Sequence, residues 1–268
     1  HYNSDGKTKP YEEDEFKNKF PLAYNYLFEF KSELINKKIR YKTNTKYWYS
    51  LHRSREIVLF ENTIKIVTPE TSLGTNMTLD KFGYYHNTQV YSLVAKDSIS
   101  ASYEYLLAVL NSKIMWFFLS KTGTVLRGGY FRYKTKYLEP FAMPIPDASY
   151  QSVISEKVNQ IMIITNDLEK LISNTISNIN HEYNLKKYSK KLQSFWKLDF
   201  DEFIKELKTT KISLDKKSEL ITFFEERKKE ALELKTKIDT LDEEMDSMIF
   251  DLYELTEDER QIVLDSTK

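Results

Sequence analysis

The chain changes character near residue 150. All six prolines and all six glycines lie before that point, and the last of them is Pro146. The rest of the chain is rich in Lys, Glu, Leu and Ile, which is the composition that long helices need. Because glycine and proline form turns and end helices, many short elements are expected only in the first part. We therefore predict a mixed α/β domain over residues 1–150 and a helical region over residues 151–268.

Within residues 1–150, two stretches have the pattern of helices, namely Phe16–Ile39 and the apolar Tyr103–Leu119. Three others combine β-branched and aromatic side chains between turn residues, which is typical of strands. These predicted strands are Ile57–Thr68, Gln89–Ala95 and Tyr130–Tyr137. The predicted fold class is accordingly α+β.

Two apolar stripes with helical spacing run through residues 151–268. The first contains Val158, Ile161, Ile164, Leu168, Leu171 and Ile179, and the second contains Leu234, Ile238, Leu241, Met245, Met248 and Leu252. Each stripe needs a partner, so we predict a long antiparallel, coiled-coil-like pair. Between them, residues 181–230 are expected to form a charged helical excursion around a small cap core of Phe195, Trp196, Phe200, Phe203, Phe223 and Phe224.

The net charge of zero hides two segments of opposite sign. The segment Lys121–Leu138 contains Lys121, Arg127, Arg132, Lys134 and Lys136 and no acid, and Lys31–Lys65 is also strongly basic. In Ala231–Asp265, by contrast, acids greatly outnumber the bases Lys235, Lys237 and Arg260. A partner with negative charge is therefore expected to meet the first part of the chain.

No motif for catalysis or cofactor binding is found. The adjacent glycines Gly128 and Gly129 lie in neither GxGxxG nor GxxxxGK, and no Pro-Pro pair, GxSxG or HExxH is present. Nuclease-like carboxylate–lysine triplets occur, as at Asp215–Lys217, but a chain that is 30% charged contains such triplets by chance. The four histidines have no metal-ligand spacing, and cysteine is absent. We predict no catalytic centre, no metal and no cofactor in this chain.

The apolar runs are too short to cross a bilayer, the longest being Ile114–Leu119. We expect a cytoplasmic protein that does not contact a membrane. Because the sequence begins with His1, we also expect it to be a fragment of a longer protein.

Aromatic and basic side chains interleave in three stretches, Lys46–Arg55, Lys65–Glu70 and Gly123–Tyr133. Arginine can grip phosphate or a guanine edge, and glycine lets the backbone approach a ligand closely. The expected DNA-binding residues are Arg53, Arg55, Lys65, Lys121, Arg127, Tyr130, Arg132, Lys134 and Lys136. In the alternative interpretation, Trp48, Tyr130 and Tyr133 are core or strand residues and the arginines form a solvated face.

Several of these stretches resemble motifs of one family, the TaqI-like C-terminal specificity domains of adenine-specific DNA methyltransferases and fused type II restriction-modification enzymes. Phe20–Leu27 is similar to its Pro-x-x-Tyr-x-Tyr-Leu, and Tyr47–Arg53 to its Tyr-Trp-x-x-x-x-Arg. Leu106–Lys113 and Gly123–Tyr133 resemble its Leu-Leu-x-x-Leu-Asn-Ser-Lys and Gly-x-x-x-Arg-Gly-Gly-x-x-Arg-aromatic segments. Ile249–Glu259 resembles its Val-Tyr-x-Leu-Tyr-Gly-Leu-Thr-x-Glu-Glu, with Glu254 in place of the usual glycine and Phe250 in place of tyrosine.

The resemblance implies a target-recognition region that selects a sequence in double-stranded DNA. It also implies an upstream methyltransferase domain or subunit that uses S-adenosylmethionine, and sometimes DNA cleavage in the parent protein. Two alternatives stay open. One is a stand-alone specificity subunit like those of type I systems, and the other is a coiled-coil protein-interaction module that does not bind DNA.

Overall fold

The computed structural model describes residues 9–51, 57, 61, 64–183, 189–207 and 212–267. Its helices are α1 (Glu13–Lys19), α2 (Pro21–Glu29), α3 (Lys31–Arg40), α4 (Tyr103–Asn111), α5 (Lys113–Thr122), α6 (Thr135–Leu138), α7 (Ala148–Tyr183), α8 (Phe200–Leu207), α9 (Leu214–Leu252) and α10 (Glu257–Ser266). Its strands are β1 (Lys65–Pro69), β2 (Thr71–Ser72), β3 (Thr78–Asp80), β4 (Val90–Leu93) and β5 (Phe131–Arg132). Short 3-10 turns occur at Thr45–Tyr47 and Leu192–Lys197. The predicted α+β class is confirmed.

The chain forms two compact units. The first comprises residues 1–68 and 78–96, and the second comprises residues 69–77 and 97–268. The division near residue 150 stays a prediction.

In the first unit, three short helices precede a small sheet. The single helix predicted over Phe16–Ile39 is broken, because α2 starts afresh at Pro21 and α3 follows the turn at Phe30. A proline fits the first position of a helix, where its missing N–H leaves no bond unmade. The sheet has the order β3–β1–β4, and β1 and β3 are antiparallel with Lys65 opposite Asp80.

Trp48 and Tyr24 form the centre of the helical part of the first unit. Both are buried, and their rings meet edge to face with centroids 6.0 Å apart. The Oε1 atom of Glu13 accepts hydrogen bonds from Trp48 Nε1 at 3.1 Å and from the Tyr24 hydroxyl at 2.9 Å. Partial burial opposes ionisation of Glu13, but these bonds and one from Lys31 outweigh it and lower the pKa of the carboxyl. The carboxylate thus ties α1 to the aromatic core.

In the second unit, the apolar segment Tyr103–Leu119 is divided into α4 and α5. Ser112 causes the break, because its hydroxyl accepts from Met115 N at 3.3 Å and donates to Val109 O at 2.7 Å, which caps α5. Asp246 of α9 reinforces this cap by accepting from the Lys113 N–H at 2.9 Å and pairing with Lys113 Nζ at 2.9 Å. A carboxylate at a helix N-terminus is favoured by the exposed N–H groups there.

The long helices α7 and α9 are antiparallel, as predicted. The Tyr150 hydroxyl donates to Met248 O at 2.9 Å, Lys157 lies 2.5 Å from Glu244, and Glu182 lies 2.7 Å from Lys216. The two helices therefore run in opposite directions along their shared interface. At the far end, the expected aromatic cap is present, with Phe195, Phe203 and Phe224 buried and Trp196, Phe200 and Phe223 packed against them.

The extents of several elements differ from the predictions. Helix α9 begins at Leu214, so the predicted excursion over residues 181–230 includes the first turns of the long helix. The strand predicted over Tyr130–Tyr137 is limited to Phe131–Arg132, because α6 begins at Thr135. The strand predicted over Ile57–Thr68 is β1 at its C-terminal end, and residues 58–60 and 62–63 lie outside the described residues.

Candidate nucleic-acid interface

A glycine-containing hairpin lies in the second unit between α5 and β5. The Gly129 N–H donates to Leu126 O at 3.1 Å, and the Leu126 N–H donates to Tyr130 O at 2.6 Å. Val125 and Phe131 form an antiparallel bridge on either side of this turn. Gly128 and Gly129 have φ values of 84° and 79°, a conformation that L side chains rarely adopt. The two glycines are therefore required by the turn, and Arg127 stands at its tip.

The hairpin rests on packed side chains. Phe131 is buried and meets Trp116 of α5 edge to face, with ring centroids 5.0 Å apart. A Cβ atom at Gly123 would lie 2.6 Å from Leu119 O, which is too close for any other residue. The backbone conformation at the end of α5 therefore requires glycine at position 123. Tyr133 is fully buried and donates its hydroxyl hydrogen bond to Gly74 O. These contacts hold the hairpin on a rigid base.

Strand β2 pairs with β5 and completes this base. Thr71 lies opposite Arg132 and Ser72 opposite Phe131, in antiparallel register. The Tyr133 N–H donates to Glu70 O at 3.0 Å, which extends the pairing by one residue. The fixed register places the side chains of Arg127, Tyr130 and Arg132 on a short structured segment.

Most basic side chains of Lys121–Leu138 lie at the surface. Lys121, Arg127 and Lys136 are exposed, Arg132 and Lys134 are half-buried, and Tyr130 is 42% exposed. Arg132 Nε lies 4.0 Å from Glu70 Oε1. Within the described part of the chain, no acidic side chain is within ion-pair distance of Lys121, Arg127, Lys134 or Lys136. Their charge is thus available to an anionic ligand.

Lys121 and Lys136 each lie over an aromatic ring. Lys121 Nζ is 5.2 Å from the centre of the Phe117 ring, and Lys136 Nζ is 4.6 Å from that of Tyr137. The Tyr137 hydroxyl is hydrogen-bonded to Thr124. The hydrogen bond with Thr124, followed by the effect of Lys136 and the charge of Lys134, lowers the pKa of Tyr137. The hydroxyl hydrogen bond and, after it, the nearby positive charges both favour the ionised phenol.

Lys65 has a different environment from the other predicted residues. Its side chain is fully buried in β1, and Nζ lies 3.2 Å from Asp80 Oδ2 on the neighbouring strand. An ammonium group enclosed in this way cannot reach a phosphate without breaking the pair. Lys65 therefore has a structural role in the sheet, and the DNA contact expected for it stays a prediction.

Arg53 and Arg55 lie outside the described residues, so their expected DNA contacts stay predictions. Of the neighbouring aromatic residues of the first unit, Trp48 follows the core interpretation because it is buried, whereas Tyr49 is half-buried and donates to Tyr11 O at 2.6 Å. Tyr133 also follows that interpretation, whereas Tyr130 does not.

Exposed apolar side chains were not predicted for this interface. Val125, opposite Phe131 in the hairpin, is 58% exposed. Side chains directly opposite each other in an antiparallel pair lie on the same face, so alternation in the sequence did not reveal that Val125 is exposed while Phe131 is buried. Among the described residues, no group of three or more His, Asp or Glu side chains is placed to hold a metal ion. Over the same residues, no helix has both the length and the apolar character needed to cross a membrane.

Comparison with protein families gives two matches. Residues 17–145 match the TaqI-like C-terminal specificity domain, which confirms the resemblance inferred from the motifs between Phe20 and Tyr133, whereas the motif at Ile249–Glu259 lies outside the matched residues. Residues 147–249, which include α7 and most of α9, match a domain of unknown function, DUF8810.

Two curated relatives are the type II methyltransferases M.HincII of Haemophilus influenzae and M.HindII of Haemophilus influenzae strain Rd. Each is 26% identical over 182 residues, which is 65% of this chain and 34% or 33% of the relative, respectively. The chain thus spans about a third of the length of the curated relatives it matches.

Proposed function

We propose that this chain, whose residues 17–145 form a TaqI-like C-terminal specificity domain, is the target-recognition region of a restriction-modification adenine methyltransferase. In this proposal, the hairpin around Gly128 and Gly129 and the basic segment that follows it contact double-stranded DNA. Catalysis belongs to another part of the parent protein. The protein would act in the cytoplasm, where a bacterial cell keeps its DNA.

One observation carries the proposal. Arg127 stands at the tip of a hairpin whose backbone is fixed by two positive-φ glycines and whose base is packed on α5. Lys134 and Lys136 follow directly, and within the described residues neither has an acidic partner at ion-pair distance. An arginine on a fixed backbone can make a bidentate contact with a phosphate or a guanine edge, and nearby lysines supply the charge that attracts the DNA backbone.

The parent protein would supply methyl transfer. The matched relatives are named type II methyltransferases, and about two thirds of each lies outside the match. We propose that a methyltransferase domain or subunit that uses S-adenosylmethionine lies upstream and works with this region. The acidic segment Ala231–Asp265 would pack against protein and not against DNA, since phosphates repel it.

Anisotropy titration of the purified chain with labelled 40-base-pair duplexes of randomised sequence tests the DNA-binding proposal. We expect the logarithm of affinity to fall linearly with the logarithm of salt concentration, with a slope of about −0.9 for each phosphate neutralised. A chain that is folded by circular dichroism but shows no salt-dependent binding would contradict the proposal.

A second measurement addresses the division of labour. The same preparation is incubated with duplex DNA and labelled S-adenosylmethionine, and we expect no label in the DNA. Transfer of label by the chain alone would show that catalysis is encoded here and would overturn that part of the proposal.

A further inference from the structure

An aromatic loop follows strand β3 in the first unit. Three of the four residues at positions 82–85 have large aromatic side chains that are exposed to solvent. Phe82 is 79% exposed, Tyr84 68% and Tyr85 74%. Single exposed apolar residues are ordinary, but a cluster of this kind at one loop marks a surface that is covered by a binding partner. We call residues 81–86 the aromatic loop.

The backbone of the aromatic loop is held by one carboxylate. Asp80 Oδ1 accepts from the N–H groups of Phe82 at 2.9 Å and Gly83 at 3.0 Å, and Oδ2 accepts from the Tyr84 N–H at 2.8 Å. Gly83 has a φ of 72°, which lets the chain turn around the carboxylate. Lys65 on β1 pairs with the same carboxylate, so the loop is held in this conformation without a bound partner. A pre-ordered loop loses less conformational entropy on binding.

The charges around the aromatic loop favour an anionic partner. The stretch from Lys81 to Lys96 contains no acidic residue. The adjacent Asp80 is buried, and its charge is balanced by Lys65 and by the N–H groups it accepts. A phosphate backbone could therefore approach these aromatic rings without repulsion from the loop.

The two leading rings are arranged as a wedge. The centroids of the Phe82 and Tyr84 rings are 5.7 Å apart, and the ring planes are tilted by 50°. Two rings at this angle cannot both stack flat on successive parallel bases. Tilted apolar side chains instead suit insertion at a base step from a groove, which partly unstacks the step and bends the duplex.

We propose that the aromatic loop is a second DNA-contacting element, in which Phe82 and Tyr84 press into a base step of duplex DNA. The inference rests on the proposed DNA-recognition function and adds to it a contact that does not depend on charge. It predicts that these rings contribute a part of the binding free energy that does not change with salt concentration. It also predicts that the bound duplex is bent.

The test uses the full chain with Phe82→Ala or Tyr84→Ala and the same 40-base-pair duplexes. Tyr26→Ala is the matched control, because Tyr26 is an aromatic residue of the same unit that is 63% exposed on α2. We expect each of the two loop variants to bind roughly 5- to 100-fold more weakly at every salt concentration. A loss of that size is typical when an aromatic side chain that contacts a base is replaced by alanine. The salt slope should equal that of the parent, and Tyr26→Ala should bind like the parent.

Phe82→Trp keeps a large aromatic ring and should restore most of the affinity, which separates loss of the wedge from loss of folding. Energy transfer between dyes at the two ends of the duplex should report bending with the parent and Phe82→Trp, and less bending with Phe82→Ala.

Three results would overturn the inference. If both loop variants bind and bend DNA like the parent while the parent shows salt-dependent binding, the loop does not contact DNA and the proposed function still stands. If Phe82→Ala reduces the salt slope, the loop acts through charge and the wedge is wrong. Absence of any DNA binding by the folded parent would overturn the proposed function as well.

Discussion

Lys65 Nζ lies 3.2 Å from Asp80 Oδ2, across the antiparallel pair formed by β1 and β3, and both side chains are almost fully buried. The two charges lie in register, with Lys65 directly opposite Asp80. The same carboxylate also accepts hydrogen bonds from the N–H groups of Phe82 and Tyr84. One buried ion pair thus joins the small sheet to the backbone of the aromatic loop.

Asp80→Asn should lower the free energy of unfolding by about 3–5 kcal/mol, because it leaves the buried ammonium of Lys65 without a counter-charge. Urea denaturation monitored by circular dichroism measures the change. The double variant Lys65→Met with Asp80→Asn should recover part of the loss, since no buried charge remains. Equal stability of Asp80→Asn and the parent would contradict the role given to the pair.

The effect of Asp80→Asn should depend on pH. Burial opposes ionisation of Asp80, but the Phe82 N–H, Lys65 and the Tyr84 N–H outweigh burial and lower its pKa. A lowered pKa means that the carboxylate stabilises the fold fully above its unfolded-state value, near 3.9, and that this contribution is lost as pH falls further. The stability difference between parent and variant should therefore be constant from about pH 7 to pH 5 and shrink below about pH 4. A difference that grows on acidification would show the opposite sign.

Lys136→Ala should reduce the salt slope of DNA binding by about 1, because one phosphate contact is lost. Lys170→Ala is the control, since Lys170 is an exposed lysine of α7 paired with Asp167. Anisotropy titrations at 50 and 200 mM salt measure both slopes. If the two variants lose affinity equally, the effect comes from net charge and Lys136 is not at the interface.

Ile154→Ala should destabilise the protein by about 2–5 kcal/mol, because it removes a fully buried side chain of α7 and leaves a cavity. Ile163→Ala is the matched control in the same helix, since Ile163 is 63% exposed. Its expected cost is below about 0.5 kcal/mol. Thermal denaturation of the two variants distinguishes these values, and a similar loss in both would mean that α7 buries a different face.

Glu254→Gly should raise the free energy of unfolding by up to about 1 kcal/mol. Glu254 follows the end of α9 with a φ of 54°, and the Leu255 N–H closes the turn onto Phe250 O at 3.1 Å. Glycine adopts this left-handed conformation without the strain of a Cβ atom. Glu254→Ala removes the charge but keeps the strain, so it should not stabilise the protein. A gain with alanine equal to that with glycine would assign the effect to charge.

The sequence predicted the elements with long, regular patterns best. The stripes containing Val158 and Ile238 identified the antiparallel pair, because apolar residues that keep a helical spacing over many turns do not fit the two-residue period of a strand. The break at Ser112 was missed because apolar residues continue on both sides of it, and only the serine hydroxyl reveals the cap.

The candidate site was harder to predict because exposure depends on distant parts of the chain. Lys65 and Lys136 are both lysines among aromatic and β-branched residues, yet Lys65 is buried by pairing with Asp80, a partner that local sequence does not specify. Trp48 likewise is buried through Glu13 and Tyr24. Within the hairpin, alternation could have separated Tyr130 from Tyr133, but the short length of β5 left its register undefined by sequence.

The cap of α5 has a consequence for how the protein is made. The Lys113 N–H and the Asp246 carboxylate that binds it are 133 residues apart in the chain, on opposite sides of the junction between the two matched families. A ribosome adds about 5–20 residues per second, so the N-terminus of α5 waits roughly 7–27 s for its partner to be synthesised. During that interval the apolar surface of α5 lacks the cover of α9. A nascent chain paused before Asp246 is therefore the stage at which this protein is most exposed to aggregation and to capture by chaperones.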